Sequence, residues 1–216
     1  MKGDNVVSKK ILRYVLMPLV IVIAIFLIYL TIYHFIINKE SVLEKDTLVA
    51  EIEGYNYELS LEQSELFYEL FYELNEVLSR EEVDYNEYAI LVAKLFIADF
   101  YNLNNKVTKN NVGGVQFIYT DARDNFIVKA KDTIYKYVES NIYGDRTQEL
   151  PSVINVEILD YSIISFKYFN QTDEKAHQIY LLWDYDKDLG YQNEAVLTLV
   201  NENNQISIIE VKEKEV

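Results

Sequence analysis

Apolar residues are concentrated near the N-terminal end of the chain. Residues 15–37 read VLMPLVIVIAIFLIYLTIYHFII and contain no formally charged side chain. A helix of this length would cross the roughly 30 Å hydrocarbon layer of a bilayer. The pattern therefore predicts a transmembrane helix over 15–37, with a cytoplasmic tail before it (1–14). A connector (38–47) and an extracytoplasmic domain (48–216) are predicted to follow. A core helix or a cleaved signal peptide fits less well, because the stretch has no polar face and no small-residue cleavage site.

The charges that flank this stretch predict its orientation. Four basic residues precede it and two follow it: Lys2, Lys9, Lys10 and Arg13, then Lys39 and Lys45. Because Lys and Arg are retained on the cytoplasmic side, we expect the N-terminus inside and the C-terminal domain outside. The sequence thus predicts a single-pass protein of the cell membrane.

Two amphipathic helices are predicted after the connector. Ser60 and Gln63 have the spacing of a capping box, and apolar residues recur after them at helical spacing as far as Leu78. Asp84 and Glu87 cap the second helix, which we expect to run to the Asn-Asn break at 104–105.

A third helix is predicted from about Asp121 to Gly144, with Tyr137 on its apolar side. Between the second and third helices lie Asn110, Asn111 and the paired glycines 113–114. A phosphate-binding loop would need a preceding strand and a following lysine, which are not in place, so the sequence favours a simple turn.

Beyond Pro151 the hydrophobic period changes from 3.6 to 2, which is typical of strands. The predicted strands are 154–158, 164–168, 177–185, 195–200 and 206–211, with a brief one at 48–53. Short links force antiparallel neighbours. The predicted class is α+β: an N-terminal transmembrane helix, then three helices packed on a curved antiparallel sheet of four to five strands.

Charge restricts the classes of partner. From Glu40 onward the chain has 34 acidic and 15 basic residues, a net charge near −19. Such a surface is repelled by nucleic acid phosphates and by anionic lipids, so we expect no nucleic-acid partner. Proteins, cations and neutral small molecules remain. The chain has no cysteine, so neither a disulfide nor a thiol contributes to its fold or its chemistry.

The sequence contains no motif for a catalytic, cofactor or metal site. The run Asp184, Asp186, Asp188 could suggest calcium, but Ala195 stands where the bidentate glutamate would be, and a turn is favoured. Asp99 lies beside an apolar stripe. It is either a general base with a raised pKa or, the interpretation we favour, a carboxylate that lies at the edge of the stripe or is bonded to a neighbouring polar group.

We name four residues as candidates for lining a pocket between helices and sheet. They are Asp99, Tyr101, Trp183 and His177. His177 alternatively is a half-exposed strand residue, and the nineteen tyrosines of the chain either furnish a binding surface or fill the half-buried face of helices and strands.

The order of elements resembles the nuclear-transport-factor-like cone fold. In particular it resembles the membrane-anchored scaffold proteins of type IV secretion and of Gram-positive conjugation. Asn111-Val112-Gly113-Gly114 is similar to the Asn-Pro-x-Gly motif of that family, without its proline. The resemblance implies a scaffold role, although this fold hosts enzymes, binders and scaffolds alike. The expectation of a non-enzymatic domain rests on the predicted membrane tether, the acidic charge and the lack of a catalytic constellation.

Three functions are therefore expected. The first is a membrane-anchored interaction or assembly module whose partners are membrane or cell-envelope proteins, with a homo-oligomer also compatible. The second is a cone-shaped domain that binds a small ligand or acts as an enzyme. The third is an accessory or sensor domain for cell-envelope enzymes.

Overall fold

The computed structural model describes residues 26–30 and 48–213. The chain divides into two units, Met1–Leu48 and Val49–Val216. In the first unit, residues 26–30 are helical (α1), and all five of their side chains are exposed.

The predicted transmembrane helix is contradicted. Among the described residues, no helix is both long enough and apolar enough to cross a membrane. A crossing needs about 20 apolar residues, and α1 is described over five positions of the predicted span 15–37. The fold class is corrected in this respect, and so is the predicted single-pass location at the cell membrane. The rest of that span, the tail 1–14, His34 and the connector 38–47 lie outside the described residues.

From residue 48 onward the chain has the α+β class that the sequence predicts. Its main elements are β1 (Leu48–Ile52), β2 (Tyr57–Ser60), α2 (Glu65–Leu78), α3 (Tyr85–Phe100), α4 (Arg123–Asp132), β3 (Val153–Tyr168), β4 (Gln171–Tyr185), β5 (Glu194–Glu202) and β6 (Gln205–Lys212). Strands β3, β4, β5 and β6 form an antiparallel sheet in that order, and β1 pairs with β2 in a separate two-stranded sheet.

Helix α2 begins four residues later than predicted. Ser64 caps it, its side chain accepting a hydrogen bond from the Phe67 N–H. Ser60 instead ends β2, a strand in which Tyr57 and Leu59 are buried while Glu58 is exposed. The alternation of these residues was the signal for this missed strand.

Helix α3 is the central element of the domain. Asp84 caps it, as predicted, by accepting hydrogen bonds from the N–H groups of Asn86 and Glu87. The helix contacts all four strands of the large sheet, and eleven of its sixteen residues are buried. It is therefore enclosed on most of its circumference, so the buried carboxylate of Asp99 near its C-terminal end must find a partner inside the protein.

Helix α4 is shorter than predicted and ends at Asp132, not near Gly144. The next residues turn so that Tyr135 and Val138 are buried, whereas Tyr137 is exposed. Thr133 donates its hydroxyl to the Lys129 carbonyl and closes the helix. The burial of Tyr135 thus outweighs the helical periodicity of the sequence.

Strands β3 and β4 form one long hairpin in place of the three shorter strands that the sequence predicts. β3 is continuous over sixteen residues, and its register against β4 shifts at three places. Two of these are bulges of β3 itself, at Ile154 and Leu159, which shift its side chains from one face of the sheet to the other. These shifts interrupt the alternation of apolar residues, which is why the sequence pattern indicates two strands separated by a gap.

The main core lies between the helices and one face of the large sheet. A smaller cluster of Tyr119, Tyr168, Ala176 and Val200 lies on the opposite face. The main core includes a closed ring of uncharged hydrogen bonds. The Ile206 N–H donates to the Tyr88 hydroxyl (3.2 Å), which lies 2.7 Å from the Tyr57 hydroxyl, and Tyr57 donates to the Ile206 carbonyl (2.9 Å). This ring joins β2, α3 and β6.

Candidate functional site

The C-terminal end of α3 contains a buried ion pair. Asp99 lies in the last turn of α3, and Lys106 follows the 3₁₀ turn Leu103–Asn105. The Lys106 Nζ is 2.6 Å from the Asp99 Oδ1, and both side chains are less than one tenth exposed. At this degree of burial each charge depends on the other, because neither has water to solvate it.

The glycine loop closes over this pair. The Gly114 N–H donates to the Asp99 Oδ2 at 2.6 Å. A Cβ at Gly113 would lie 2.5 Å from the Asp99 carbonyl oxygen and 2.7 Å from the Lys106 Nζ. The loop approaches so closely that only glycine fits, which explains the paired glycines at 113–114.

The electrostatics of Asp99 make it a poor base. Burial alone would raise the pKa of its carboxyl, but the Lys106 ammonium and the Gly114 N–H outweigh burial and hold the pKa below its usual range. Asp99 is therefore an ionised, fully bonded carboxylate. This is one of the two arrangements that the sequence favours, a carboxylate bonded to a polar neighbour.

Tyr135 extends the network to the segment after α4. Its hydroxyl accepts from the Gly113 N–H (3.0 Å) and donates to the Phe100 carbonyl (2.6 Å) at the end of α3. Burial raises the pKa of this hydroxyl, and the Asp99 charge raises it further, so the phenol stays neutral. The tyrosine fixes the start of the loop that follows it.

We call residues 137–148 the tyrosine loop. Arg146 secures it by donating to the Lys106 carbonyl (2.7 Å) and the Asn104 carbonyl (2.8 Å). The Asn141 N–H donates to the Val107 carbonyl at 2.7 Å. Gln148 bridges the two arms of the loop, accepting from the Glu139 N–H and donating to the Tyr137 carbonyl, both at 2.9 Å. The loop therefore has a defined conformation although it has no regular secondary structure.

Three large apolar side chains of this loop point to solvent. Tyr137 is 72% exposed, Ile142 60% and Tyr143 90%. Glu139 and Asp145 are exposed between and beside them. Burying such side chains against another surface would release about 25 cal/mol per Å² of apolar area. A rigid loop that displays them is suited to a protein–protein contact.

The other predicted pocket residues lie elsewhere. Tyr101 and Trp183 are buried and pack against each other, with ring centroids 4.3 Å apart. His177 is on the same strand as Trp183 but six residues away, about 20 Å along the strand. Asp99, the Tyr101–Trp183 pair and His177 thus have different contact partners and do not converge on one site. None of the four lines either of two open surface clefts of the described residues, one beside Tyr180 and the other beside Tyr55.

His177 belongs to a small hydrogen-bonded group beside the N-terminus of α3. Its Nδ1 lies 2.8 Å from the Tyr161 hydroxyl, which donates to the Asn86 Oδ1 at 2.6 Å. Burial lowers the pKa of the imidazole, and Asp173 partly opposes that effect. His177 is therefore a buried, neutral histidine with a partner, not a half-exposed strand residue.

The described residues contain no group of three potential metal-ligating side chains. The three aspartates that could suggest calcium lie in and beside a turn. Asp186 accepts from the Ser152 N–H (2.7 Å), Asp188 from the Gly190 N–H (3.2 Å), and Asp184 from the Asn155 amide (3.0 Å). They have the turn role that the sequence favours.

Comparison with protein-family models, with curated proteins and with solved structures finds no significant match in any of the three. The resemblance to the nuclear-transport-factor-like fold therefore rests on the order of elements and on the 111–114 motif alone, and it stays a prediction.

Sequence reasoning missed the network around Asp99. The paired glycines were interpreted as a simple turn, and their close approach to Asp99 became visible only in three dimensions. Lys106, Tyr135 and Arg146 are seven, 36 and 47 residues from Asp99, and no local pattern relates them. The one signal available for the exposed loop was the polar run Glu139, Ser140 and Asn141, which is typical of a loop.

Proposed function

We propose that the domain over 48–213 is a non-enzymatic interaction or assembly module that binds a protein partner through the tyrosine loop. The observation that carries this proposal is the 90% exposure of Tyr143 on a loop whose backbone is fixed by Arg146. Tyr137, Ile142 and Tyr143 display three large exposed side chains on one ordered loop, and a group of this kind marks an interaction site more often than a single exposed residue does.

The rigidity of the loop supports this proposal. Association costs free energy for every segment that it orders, and the tyrosine loop is ordered beforehand by the network around Asp99. Tyr137 and Tyr143 add large contact areas with few rotatable bonds, which is why tyrosine is enriched at interface hot spots. The buried ion pair thus contributes indirectly, as the foundation of the loop.

Charge indicates which kind of partner fits. The chain from Glu40 onward carries a net charge near −19, and Glu139 and Asp145 add carboxylates to the loop itself. A second copy would bring the same charge to the interface and be repelled. We therefore propose a different protein, with an apolar pocket for Tyr143 and a basic rim around it.

Site-specific photocrosslinking in the cells that make the protein tests this proposal. A benzophenone amino acid replaces Tyr143 in one version and, as a matched control, the exposed Tyr72 of α2 in another. We expect a discrete adduct from position 143 and none from 72, identified by mass spectrometry as a protein with a basic surface. The purified partner should then bind the wild-type chain, bind Tyr143→Ala at least about tenfold more weakly, and lose association rate as salt rises.

Two results would overturn the proposal. One is the recovery of only the uncrosslinked chain from position 143. The other is an adduct of twice the mass of the chain, which would show that the loop contacts a second copy.

A further inference from the structure

Three turns of the domain meet around a second surface feature, an open cleft of about 500 Å³. They are the β1–β2 turn, the β5–β6 turn and the 3₁₀ turn Thr120–Ala122. The residues that line the cleft are Gly54, Tyr55, Asn56, Thr120, Asn203, Asn204 and Gln205. None of them belongs to the tyrosine loop, so the cleft is independent of the proposed interaction site.

Hydrogen bonds between the turns fix the shape of the cleft. The Gln205 side-chain amide donates to the Tyr55 carbonyl at 2.8 Å and ties two of the turns together. Directly next to these residues in the chain, the uncharged ring of Tyr57, Tyr88 and Ile206 fixes β2 and β6 to α3. A ligand would therefore meet a preformed surface.

Left-handed backbone conformations orient the side chains at the rim. Asn56, Asn203 and Asn204 have φ values of 54°, 55° and 69°. Asparagine tolerates this region better than most residues other than glycine, so the turns need little strain. Among the described residues, no hydrogen bond engages the side-chain amides of these three asparagines, and Asn203 and Asn204 are exposed. Their donors and acceptors are available to a ligand.

The lining has a distinctive chemistry for this domain. Among the side chains that the structure describes, the lining contains four carboxamides, a hydroxyl and a phenol and no charged group, in a chain with 35 acidic and 20 basic residues. A carboxamide offers a donor and an acceptor side by side, which matches a hydroxyl group in both of its hydrogen-bonding roles. The half-buried ring of Tyr55 packs edge-on against Tyr88, with centroids 5.8 Å apart, and provides an apolar surface in the same cleft.

We infer that this cleft binds an uncharged, polyhydroxylated ligand, a neutral saccharide. The C–H face of a sugar ring packs on Tyr55, while its hydroxyl groups pair with the carboxamides of Asn56, Asn203 and Asn204. An anionic ligand would find no cation in the lining and would face an acidic protein. A divalent cation would find no carboxylate, the ligand that such ions prefer.

An NMR titration of the full-length, ¹⁵N-labelled chain tests this inference. The probes are hexasaccharides of glucose (β1,4- and α1,4-linked) and of N-acetylglucosamine, with the hexamer of galacturonic acid as an anionic counterpart. We expect at least one neutral probe to shift the signals of residues 54–56, 120 and 203–205, and the anionic probe to leave them unchanged.

A matched pair of variants makes the test specific. Asn204→Asp keeps the shape and the tolerance of the left-handed conformation but removes the donors and adds a charge. We expect it to bind the neutral probe about tenfold more weakly, a loss of one or two hydrogen bonds. Asn170→Asp, at an exposed position of the β3–β4 hairpin, makes the same chemical change away from the cleft and should bind like the wild type.

The inference would be overturned by the absence of shifts with all three neutral probes, or by shifts outside the cleft. Equal affinity of the Asn204→Asp and Asn170→Asp variants would also overturn it. Because the tyrosine loop is untouched in these variants, none of these results bears on the protein partner.

Discussion

Two buried polar networks fasten distant segments to α3, and they differ in charge. Near its N-terminal end, Tyr88 joins Tyr57 and Ile206 in a ring of neutral groups. At its C-terminal end, Asp99 binds Lys106 and the glycine loop through full charges. In both networks each of these side chains has at least one hydrogen-bond partner, yet the consequences of removing one member are different.

The two ends of α3 should lose different amounts of stability when one polar group is removed. Burial raises the pKa of Tyr88 to about 12, so the ring of hydrogen bonds stays uncharged at any physiological pH. Removal of the Tyr88 hydroxyl leaves only uncharged groups, the Tyr57 hydroxyl and the Ile206 N–H, without that partner. A lost partner in the ion pair leaves a bare charge in the core. The neutral network supports the saccharide cleft, and the charged network supports the tyrosine loop. A single substitution in the supporting network should therefore disturb the loop more than the cleft.

Removing the ammonium group of Lys106 should lower the stability of the domain more than any other change proposed here. Lys106→Met keeps the aliphatic stem but leaves the Asp99 carboxylate buried without its partner. We expect a loss of about 3–5 kcal/mol in the free energy of unfolding, measured by urea denaturation. The exposed Lys109, changed to Met in the same way, is the control and should be within about 0.5 kcal/mol of the wild type.

A double variant separates charge from packing. Asp99→Asn together with Lys106→Met removes both charges, and it should recover part of the stability lost in Lys106→Met. If the double variant is less stable than Lys106→Met, the unpaired charge is not the cause of the damage.

Filling the space at the glycine loop should have the next largest effect. In Gly113→Ala the new Cβ would collide with the Asp99 carbonyl, and we expect a loss of about 1–3 kcal/mol. Gly190→Ala is the matched comparison, because Gly190 has a φ of 73° but open space around it. It should cost about 1 kcal/mol from backbone strain alone. Equal costs would contradict the close approach of the loop to Asp99.

Removing a hydroxyl from the neutral ring should have a smaller effect. Tyr88→Phe leaves the Ile206 N–H and the Tyr57 hydroxyl with one partner fewer, and we expect a loss of about 1–1.5 kcal/mol. Tyr85→Phe changes an exposed ring one turn earlier on α3 and should change stability by less than about 0.5 kcal/mol. A cost for Tyr88→Phe as large as that for Lys106→Met would remove the distinction between the two networks.

The smallest expected effect on stability is its dependence on pH through His177. Burial holds the pKa of His177 below its ordinary value of 6.5, with Asp173 partly opposing. The unfolded state therefore takes up this proton more readily than the folded state. The contribution of the neutral imidazole is complete above pH 6.5 and is lost as the pH falls through the lower folded-state pKa. Melting temperatures measured from pH 8 to pH 5 should fall less steeply in His177→Gln than in the wild type; parallel curves would contradict this assignment.

Local patterns predicted much of the fold from residue 48 onward. The Asp84 cap depends on residues within one turn of each other, and the period-two stretches after Pro151 mark where the strands lie. The predictions failed where tertiary contacts decide. Tyr135 is buried and bonded to Phe100 and Gly113, so α4 ends earlier than its periodicity predicts. Two bulges interrupt the alternation along β3, so the pattern indicates two strands where the structure has one.

The candidate site was less predictable than the fold. For Asp99 the sequence favoured a carboxylate at the edge of the apolar stripe or bonded to a polar neighbour, and the structure shows the second of these. Its partners are brought to it by the path of the whole chain. The tyrosine loop was placed inside a helix, so the exposure of Tyr143 could not be foreseen. The cleft is formed by three turns that are far apart in the sequence, and no periodicity describes such a meeting.

The two bulges of β3 have one more consequence. β3 is an outermost strand of the large sheet, about 50 Å long, and rich in Ile and Tyr. A straight edge of this kind would invite strands of other molecules to add to it and grow into fibrils. At Ile154 and Leu159 the spacing of the outward backbone groups is broken. A strand from another molecule could therefore not pair with β3 in a single register along its full length.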